Sequence, residues 1–292
     1  MRRRVAITGA AGQLGRQLVR VFSDAGDTLL EMSRPEWDIT RAADLDRLVD
    51  WAPKIVINAA AWTDVDGCAR EPLRAMQING EAAGRIADAA RRADAMVVQI
   101  STNEVFDGTL DRPYLETDEP RPINPYGASK LAGERAVSAA NPRHIIVRTA
   151  WLFGPAGSNF VTKILAAAER AAAKGAPLQV VDDEWGNPTW TPWLASAIVE
   201  LVESASPGRV QHAVGSPAVS RLGWARVALD AAKQEVPIAA ISGIQFERAS
   251  TPPARAVLGS ISPIGTDGDG WEEPTRRLAA GHAEAALAID GD

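Results

Sequence analysis

Short aliphatic runs alternate with longer Ala-rich stretches through the first half of the chain. Val5–Thr8, Thr28–Met32, Ile55–Asn58, Ala95–Ser101 and His144–Arg148 read as strands. Gln13–Ala25, Ala42–Trp51, Pro72–Arg92 and Pro125–Ala140 read as helices between them. This order predicts an α/β fold with a doubly wound parallel sheet and ligands at the carboxyl ends of its strands. After Arg148 the rhythm loosens. A helix is expected over Asn159–Lys174, a strand over Leu178–Val181, a polar, Trp-rich turn over Asp182–Trp193 and a helix over Leu194–Ser204. A last helix, Trp271–Ile289, tolerates Pro274 in its first turn. Residues 1–150 are therefore expected to form a dinucleotide-binding Rossmann domain. Residues 151–292 form a smaller C-terminal substrate-binding lobe, with segments 176–212 and 241–262 returning to the first domain.

Composition narrows the class of function. The chain has 292 residues, 46% of them apolar and 23% charged, the balance of a globular protein. A net charge of -6 argues against a nucleic-acid partner, and Arg2-Arg3-Arg4 reads as a solvated strand start rather than a basic stripe. No apolar stretch has the length of a membrane span, and Val5-Ala6-Ile7 is too short for a signal peptide. The single cysteine, Cys68, excludes an internal disulfide and suits a reducing cytoplasm, the expected location. His144, His212 and His282 are scattered without metal-ligand spacing, and Asp182-Asp183-Glu184 reads as a polar turn, so no metal site is expected. A homodimer is expected only because symmetric dimers are common.

The first strand runs into Gly9-Ala10-Ala11-Gly12-Gln13-Leu14-Gly15. Gly9 suits a tight turn, Gly12 a close approach of backbone to a pyrophosphate, and Gly15 close packing of helix on strand, with Gln13 and Leu14 opening the helix toward the phosphates. The spacing is G-x-x-G-x-x-G rather than G-x-G-x-x-G. At the second strand's end, Ser33 and Arg34 suit a 2′-phosphate and favour NADP(H), while Glu31 keeps NAD(H) open. Asp38 and Ile39 are candidates to lie along the adenine. Asn58-Ala59-Ala60-Ala61 offers small residues as a floor for the nicotinamide ribose.

Tyr126 and Lys130 stand four apart at the head of a helix and so share one face. An ammonium beside a phenol moves it toward useful acidity, and the same lysine can hold the nicotinamide ribose. Thr102, at the tip of a strand ending Ser-Thr, completes a candidate hydride-transfer site.

Together these features resemble the extended short-chain dehydrogenase/reductases. The segments "NAAAWTDVDGCAREP", "STNEVFDG", "YGASKLAGE", "VRTAWLFG", "SNFV" and "VVDDEWGNPTW" narrow the resemblance to the dTDP-4-dehydrorhamnose reductase family over residues 4–195. It implies an NAD(P)H-dependent reductase of the C4 ketone of a dTDP-4-keto-6-deoxy sugar, serving deoxysugar biosynthesis. Tyr126 would protonate the C4 oxyanion, Thr102 would hydrogen-bond it and Lys130 would tune Tyr126. Trp151 matches a tryptophan beside the sugar, Val65 and Asp66 fall near the substrate entrance, and Asn187 joins Trp185, Trp190 and Trp193 as candidate sugar or base contacts. Toward the C-terminus, Arg248 aligns, while Ala256 stands where a serine is usual, so the sugar stays open.

Within the family the strand end usually reads Ser-Thr-Asp-Tyr-Val-Phe; here Asn103 and Glu104 replace the central pair. The glutamate resembles one in nucleotide-sugar 4,6-dehydratases, which makes a dehydratase or epimerase the first alternative. Asn103 cannot supply the proton that elimination requires. Both residues are therefore expected to contact substrate, Glu104 through a sugar hydroxyl. A second alternative is a non-catalytic dinucleotide-binding subunit, like the regulatory subunit of methionine adenosyltransferase.

Overall fold

The computed structural model describes residues 2–155, 157–204, 206–264 and 270–289, with side chains through 282. Five strands in the first half are β1 (Arg4–Thr8), β2 (Thr28–Met32), β3 (Ile55–Asn58), β4 (Met96–Thr102) and β5 (His144–Thr149). The short strands that follow are β6 (Leu152–Phe153), β7 (Leu178–Val181), β8 (Trp185–Gly186), β9 (Thr189–Trp190), β10 (Arg209–His212), β11 (Val219–Ser220) and β12 (Ile238–Ile241). One six-stranded sheet runs in the order β10-β5-β4-β3-β1-β2, and every pair in it is parallel. The chain leaves β1 toward β2 and returns on the other side at β3. Loops therefore part at the carboxyl ends of β1 and β3, where such sheets bind ligands.

Strand alternation sorts the core. Val5 and Ile7 of β1 face one way, with Ile57, Val98 and Val147; Ala6 faces the other, with Val56, Val97 and Ile146. The first face is covered by α1 (Gln13–Asp24), whose Leu14, Leu18 and Phe22 are buried. The second is covered by α2 (Ala42–Asp50) and by later helices described next.

The run 72–92, expected as one helix, is broken. After α3 (Val65–Arg70) come α4 (Pro72–Ala75), a π-helical stretch Met76–Glu81 and α5 (Ala82–Arg92). The widened turn presents Asn79, whose side chain takes the amide of Trp62 at 2.8 Å and donates to its carbonyl at 3.0 Å. Asn79 also donates to Ser129 Oγ at 3.0 Å, tying this stretch to α6 (Pro125–Ala140). These partners are distant in sequence, so periodicity alone does not reveal the break.

The second half contributes α7 (Phe160–Ala173), α8 (Thr191–Glu203), α9 (Arg221–Ala231) and α10 (Glu272–Ile289). Helix α8 packs on α1, and β10 pairs with β5, so both belong to the large sheet. Strand β7 instead pairs with β12 beside α7 and α9, in the smaller lobe. Its core is built on Phe153, Leu165, Trp224, Leu229 and Trp271. From Ser250 onward the chain again touches the large domain: Ser250 N donates to Asp66 at 2.8 Å, and Tyr114 bridges Leu258. No helix among the described residues is long and apolar enough to cross a membrane.

Phe22 is fully buried between the sheet and its first helix. Phe22→Ala should lower unfolding free energy by about 3–5 kcal/mol, read from urea denaturation.

Candidate active site

The loop after β1 is shaped by close approach. Gly9 has φ +65°, and a Cβ there would stand 2.9 Å from the backbone of Ala59 and Ala60. A Cβ on Gly15 would meet the Gly9 carbonyl at 2.1 Å, so the helix can begin here only without a side chain. Gly12 is extended and lines the cleft, and a side chain there would fill the space in front of the α1 N-terminus. Gly9, Gly12, Gln13, Leu14 and Gly15 all line one cleft of about 850 Å³ between the domains. The glycine turn and the α1 N-terminus behind it together fit a dinucleotide pyrophosphate.

A smaller hollow opens behind this loop. Ser33 lines it, and its hydroxyl accepts the Ala11 amide at 2.9 Å. Glu31, the acid that keeps NAD(H) open, lines it as well, as do Arg16, Glu36 and Trp37, which no sequence pattern singled out. Arg34 is exposed and outside its lining. Asp38 and Ile39 do not line it. The Asp38 carboxylate accepts from Thr40 N at 2.9 Å and Thr40 Oγ1 at 2.6 Å, which lowers its pKa, and Ile39 packs against the core.

Ala59 and Ala61 reach the cleft, whereas Ala60 and Asn58 do not. Asn58 is buried in a chain of hydrogen bonds across three strand ends. Thr8 Oγ1 donates to Asn58 Oδ1 at 2.5 Å, Asn58 Nδ2 to Gln99 Oε1 at 2.7 Å, and Gln99 Nε2 to the Ile100 carbonyl at 2.8 Å. That carbonyl also accepts Lys130 Nζ at 2.6 Å. The chain joins the glycine loop to the catalytic candidates.

Asn124 caps α6 by accepting the Gly127 amide at 2.8 Å, with Pro125 following. The helix thereby presents Tyr126 and Lys130 to the cleft opposite Thr102, and the three converge there. Burial, then the nearby Glu104 carboxylate, push the Tyr126 phenol well above its ordinary pKa, while its hydrogen bond with Thr102 pulls the other way. Tyr126 is therefore a protonated phenol at neutral pH, ready to donate. Burial draws the Lys130 ammonium down to about 8, with Glu134 opposing the fall. The expected pull of Lys130 on Tyr126 is not among the influences that set its pKa.

Glu104 and Asn103 both line the cleft, but differently. Asn103 Nδ2 is committed to the Ala256 carbonyl at 2.9 Å. Glu104 Oε2 accepts from Asn124 Nδ2 at 2.7 Å, and burial raises its pKa. Val65 lines the cleft; Asp66 does not, being tied to Ser250. Asn187 is also turned away, donating to the Gly215 carbonyl at 3.0 Å and accepting from Leu258 N at 2.9 Å. Each of these polar side chains holds a distant loop, a use that no local spacing signals.

The far wall belongs to the small lobe. Trp151 adopts φ +44°, a strained conformation for a bulky residue. Its indole lies between the Arg221 guanidinium, 3.6 Å from the ring centre, and Trp224, stacked at 5.8 Å. Glu184 is buried between Arg221, at 3.7 Å, and Arg248, which donates to it directly. Burial lowers Arg221 to about 10. Lys163 and Arg170 add charge along the same wall. The two fall seven apart on α7, a same-face spacing that could have pointed to them. The neighbouring Asp182 and Asp183 accept from Ser220 and from Ser242 and Gly243, so the acidic run is spent within the protein. Among the described residues no cluster could hold a metal ion.

A phenol donor beside a threonine hydroxyl, a buried ammonium and a dinucleotide cradle can protonate an oxyanion as hydride reaches its carbon. Residues 3–270 match the family model described as the RmlD substrate binding domain. The chain is 38% identical to dTDP-4-dehydrorhamnose reductase of Mycobacterium tuberculosis over 263 residues, covering 88% of this chain and 85% of that one. A dTDP-4-keto-6-deoxy-D-glucose reductase of Streptomyces niveus is 40% identical over 204 residues, 69% of each chain. Among solved structures, dTDP-4-dehydrorhamnose reductase of Bacillus anthracis in complex with NADP superposes with a TM-score of 0.87 at 31% identity, covering 95% of this chain and 99% of that one.

Gly12→Val should fill the cradle without unfolding the chain, because its backbone is ordinary for any residue and its Cβ crowds only the Gly9 carbonyl, at 3.1 Å. Fluorescence titration should show dinucleotide affinity falling at least about tenfold, with thermal stability retained. A second expectation concerns Cys68, whose burial raises its thiol to about 11. It should resist thiol reagents at pH 8 until denaturant is added.

Proposed function

Because the chain belongs to the dTDP-4-dehydrorhamnose reductase family, we propose that it reduces the C4 keto group of a dTDP-linked 4-keto-6-deoxy sugar, with NADPH preferred and NADH usable. The observation that carries the reading is the convergence of Tyr126, Thr102 and Lys130 on one cleft beside the glycine cradle. The cradle of Gly9, Gly12 and Gly15 would hold the cofactor's diphosphate, and Ser33 with Arg16 would face its adenosine end. When bound, NADPH supplies the hydride to C4.

The chain's own residues manage the charge. Thr102 Oγ1 and the Tyr126 hydroxyl bracket the place for the C4 oxygen, and Tyr126 transfers its proton there as negative charge develops. The phenolate left behind is then stabilised by the Lys130 ammonium one helical turn away. Val65 and Trp151 shape the sugar end, Arg248 and Arg221 flank it, and Asn103 fixes the loop on which Glu104 is carried. Glu104 accepts a hydrogen bond from a sugar hydroxyl through the oxygen that Asn124 leaves open.

Reduction is favoured over elimination of water. Elimination needs a base and an acid, and the Asn103 amide beside Glu104 can supply neither. A place in deoxysugar biosynthesis, a cytoplasmic location suited to the buried free thiol of Cys68, and a symmetric dimer complete the proposal.

The test is NADPH oxidation with a dTDP-4-keto-6-deoxy sugar. Loss of the ketone supports the reading, whereas absence of turnover with bound cofactor overturns it in favour of a binding role. Tyr126→Phe should lower kcat about 10²–10⁴-fold with NADPH affinity little changed. Glu104→Gln should raise the sugar KM about tenfold, the size expected when a charged hydrogen-bond acceptor is lost.

A further inference from the structure

Two buried charges, Glu134 one helical turn past Lys130 and Arg148 paired with it, take no part in the proton transfer above. Glu134 follows Tyr126 and Lys130 at successive four-residue steps, so all three share one face of α6. Arg148, on β5, grips the Glu134 carboxylate through Nε at 3.0 Å and Nη2 at 2.7 Å. Ser101, the residue before Thr102, donates to the same carboxylate at 2.5 Å. The two charged side chains are only 4% and 5% exposed. A pair so deep carries a large desolvation penalty and is weak evidence for stability as such. Its place one helical turn from Lys130, bonded to the strand end that carries Thr102, points instead to a role in the reaction.

We propose that Glu134 is a positioning residue that serves as the internal counter-charge of Lys130, held in place by Arg148 and Ser101. Lys130 is cut off from water, and its ammonium donates to the Ile100 carbonyl, a neutral partner. The other titratable and charged groups around it are Tyr126 on its own helix and Arg148 behind Glu134. Glu104 and Cys68 lie beyond the phenol, and His212 lies beyond Arg148. Glu134 is the carboxylate whose charge favours the lysine's protonated form, against a burial that disfavours it. Without that charge a neutral lysine would face the Tyr126 phenolate, and the phenolate would lose its stabilising cation. Ser101 adds a geometric link: the carboxylate that holds the lysine's charge also holds the strand end on which Thr102 is carried.

The use made of Lys130 rests on the reductase reading, but its charge state can be measured without turnover. The chain has five lysines, Lys54, Lys130, Lys163, Lys174 and Lys233, so ¹³Cε-lysine NMR resolves them, with Lys130→Met assigning the resonance. In the unaltered protein Lys130 should titrate near 8. Glu134→Gln should lower that midpoint by about one unit or more, and Glu134→Asp, which keeps the charge but withdraws it, by less. If the unpaired Arg148 prevents Glu134→Gln from folding, Glu134→Gln/Arg148→Met keeps the test, with a smaller fall expected because the opposing Arg148 charge is removed with it. In the active enzyme the alkaline limb of the kcat profile should move to lower pH in step. An unchanged Lys130 midpoint in any folded variant lacking the Glu134 charge overturns the proposal. A protein that reduces no keto sugar would overturn the reductase reading while leaving the NMR shift in place.

Discussion

Everything in the cleft depends on how the carboxyl ends of β1, β3 and β4 are held together. Parallel strands end in unpaired polar backbone, and here side chains close the gap. Thr8, Asn58 and Gln99 pass hydrogen bonds from strand to strand until they reach the Ile100 carbonyl, where Lys130 also lands. Thr8 Oγ1 further accepts the amide of Ala60, fixing the loop that Gly9 approaches. The glycine loop and the lysine are thereby parts of one buried network. Such networks are rigid when fully satisfied, because breaking any member strands a polar group away from water.

Burial then sets the chemistry. The same desolvation acts in opposite senses on Tyr126 and Lys130: it strengthens the phenol's hold on its proton and weakens that of the ammonium. A reductase needs the phenol charged with its proton before hydride arrives and a cation beside it afterwards. The first requirement is met by the phenol's own high pKa, raised further by burial and by the Glu104 carboxylate. The second works against burial and needs a carboxylate nearby, which Glu134 provides. The substrate wall meets a similar difficulty with a denser lattice, Glu184 set between Arg221 and Arg248 so that neither cation stands alone.

The sheet was readable from periodicity because strand and helix faces bury in fixed steps, and β1 to β5 fall where the aliphatic runs lie. The π-helical turn at Met76–Glu81 was not readable, since its cause is the reach of Asn79 to Trp62 and Ser129. Nor was β10, a short polar strand that exists because β5 offers it an edge. The division within the polar candidates follows the same line. Gly9, Gly12, Gly15, Thr102, Tyr126 and Lys130 reach the cleft through backbone shape or helical spacing, both local properties. Asn58, Asp66 and Asn187 look equally suited to ligands on paper but are consumed by loops far away in the chain.

By itself, then, the amino-acid order determined the parallel sheet, the phosphate cradle and the pairing of Tyr126 with Lys130, because each follows from spacings of a few residues. Tertiary structure alone decided which polar side chains face the cleft. It also raised the phenol's pKa and brought Arg148 and Ser101 onto Glu134, one helical turn from the lysine. Those outcomes depend on burial and on partners brought together from separate strands, and both exist only once the chain has closed around them.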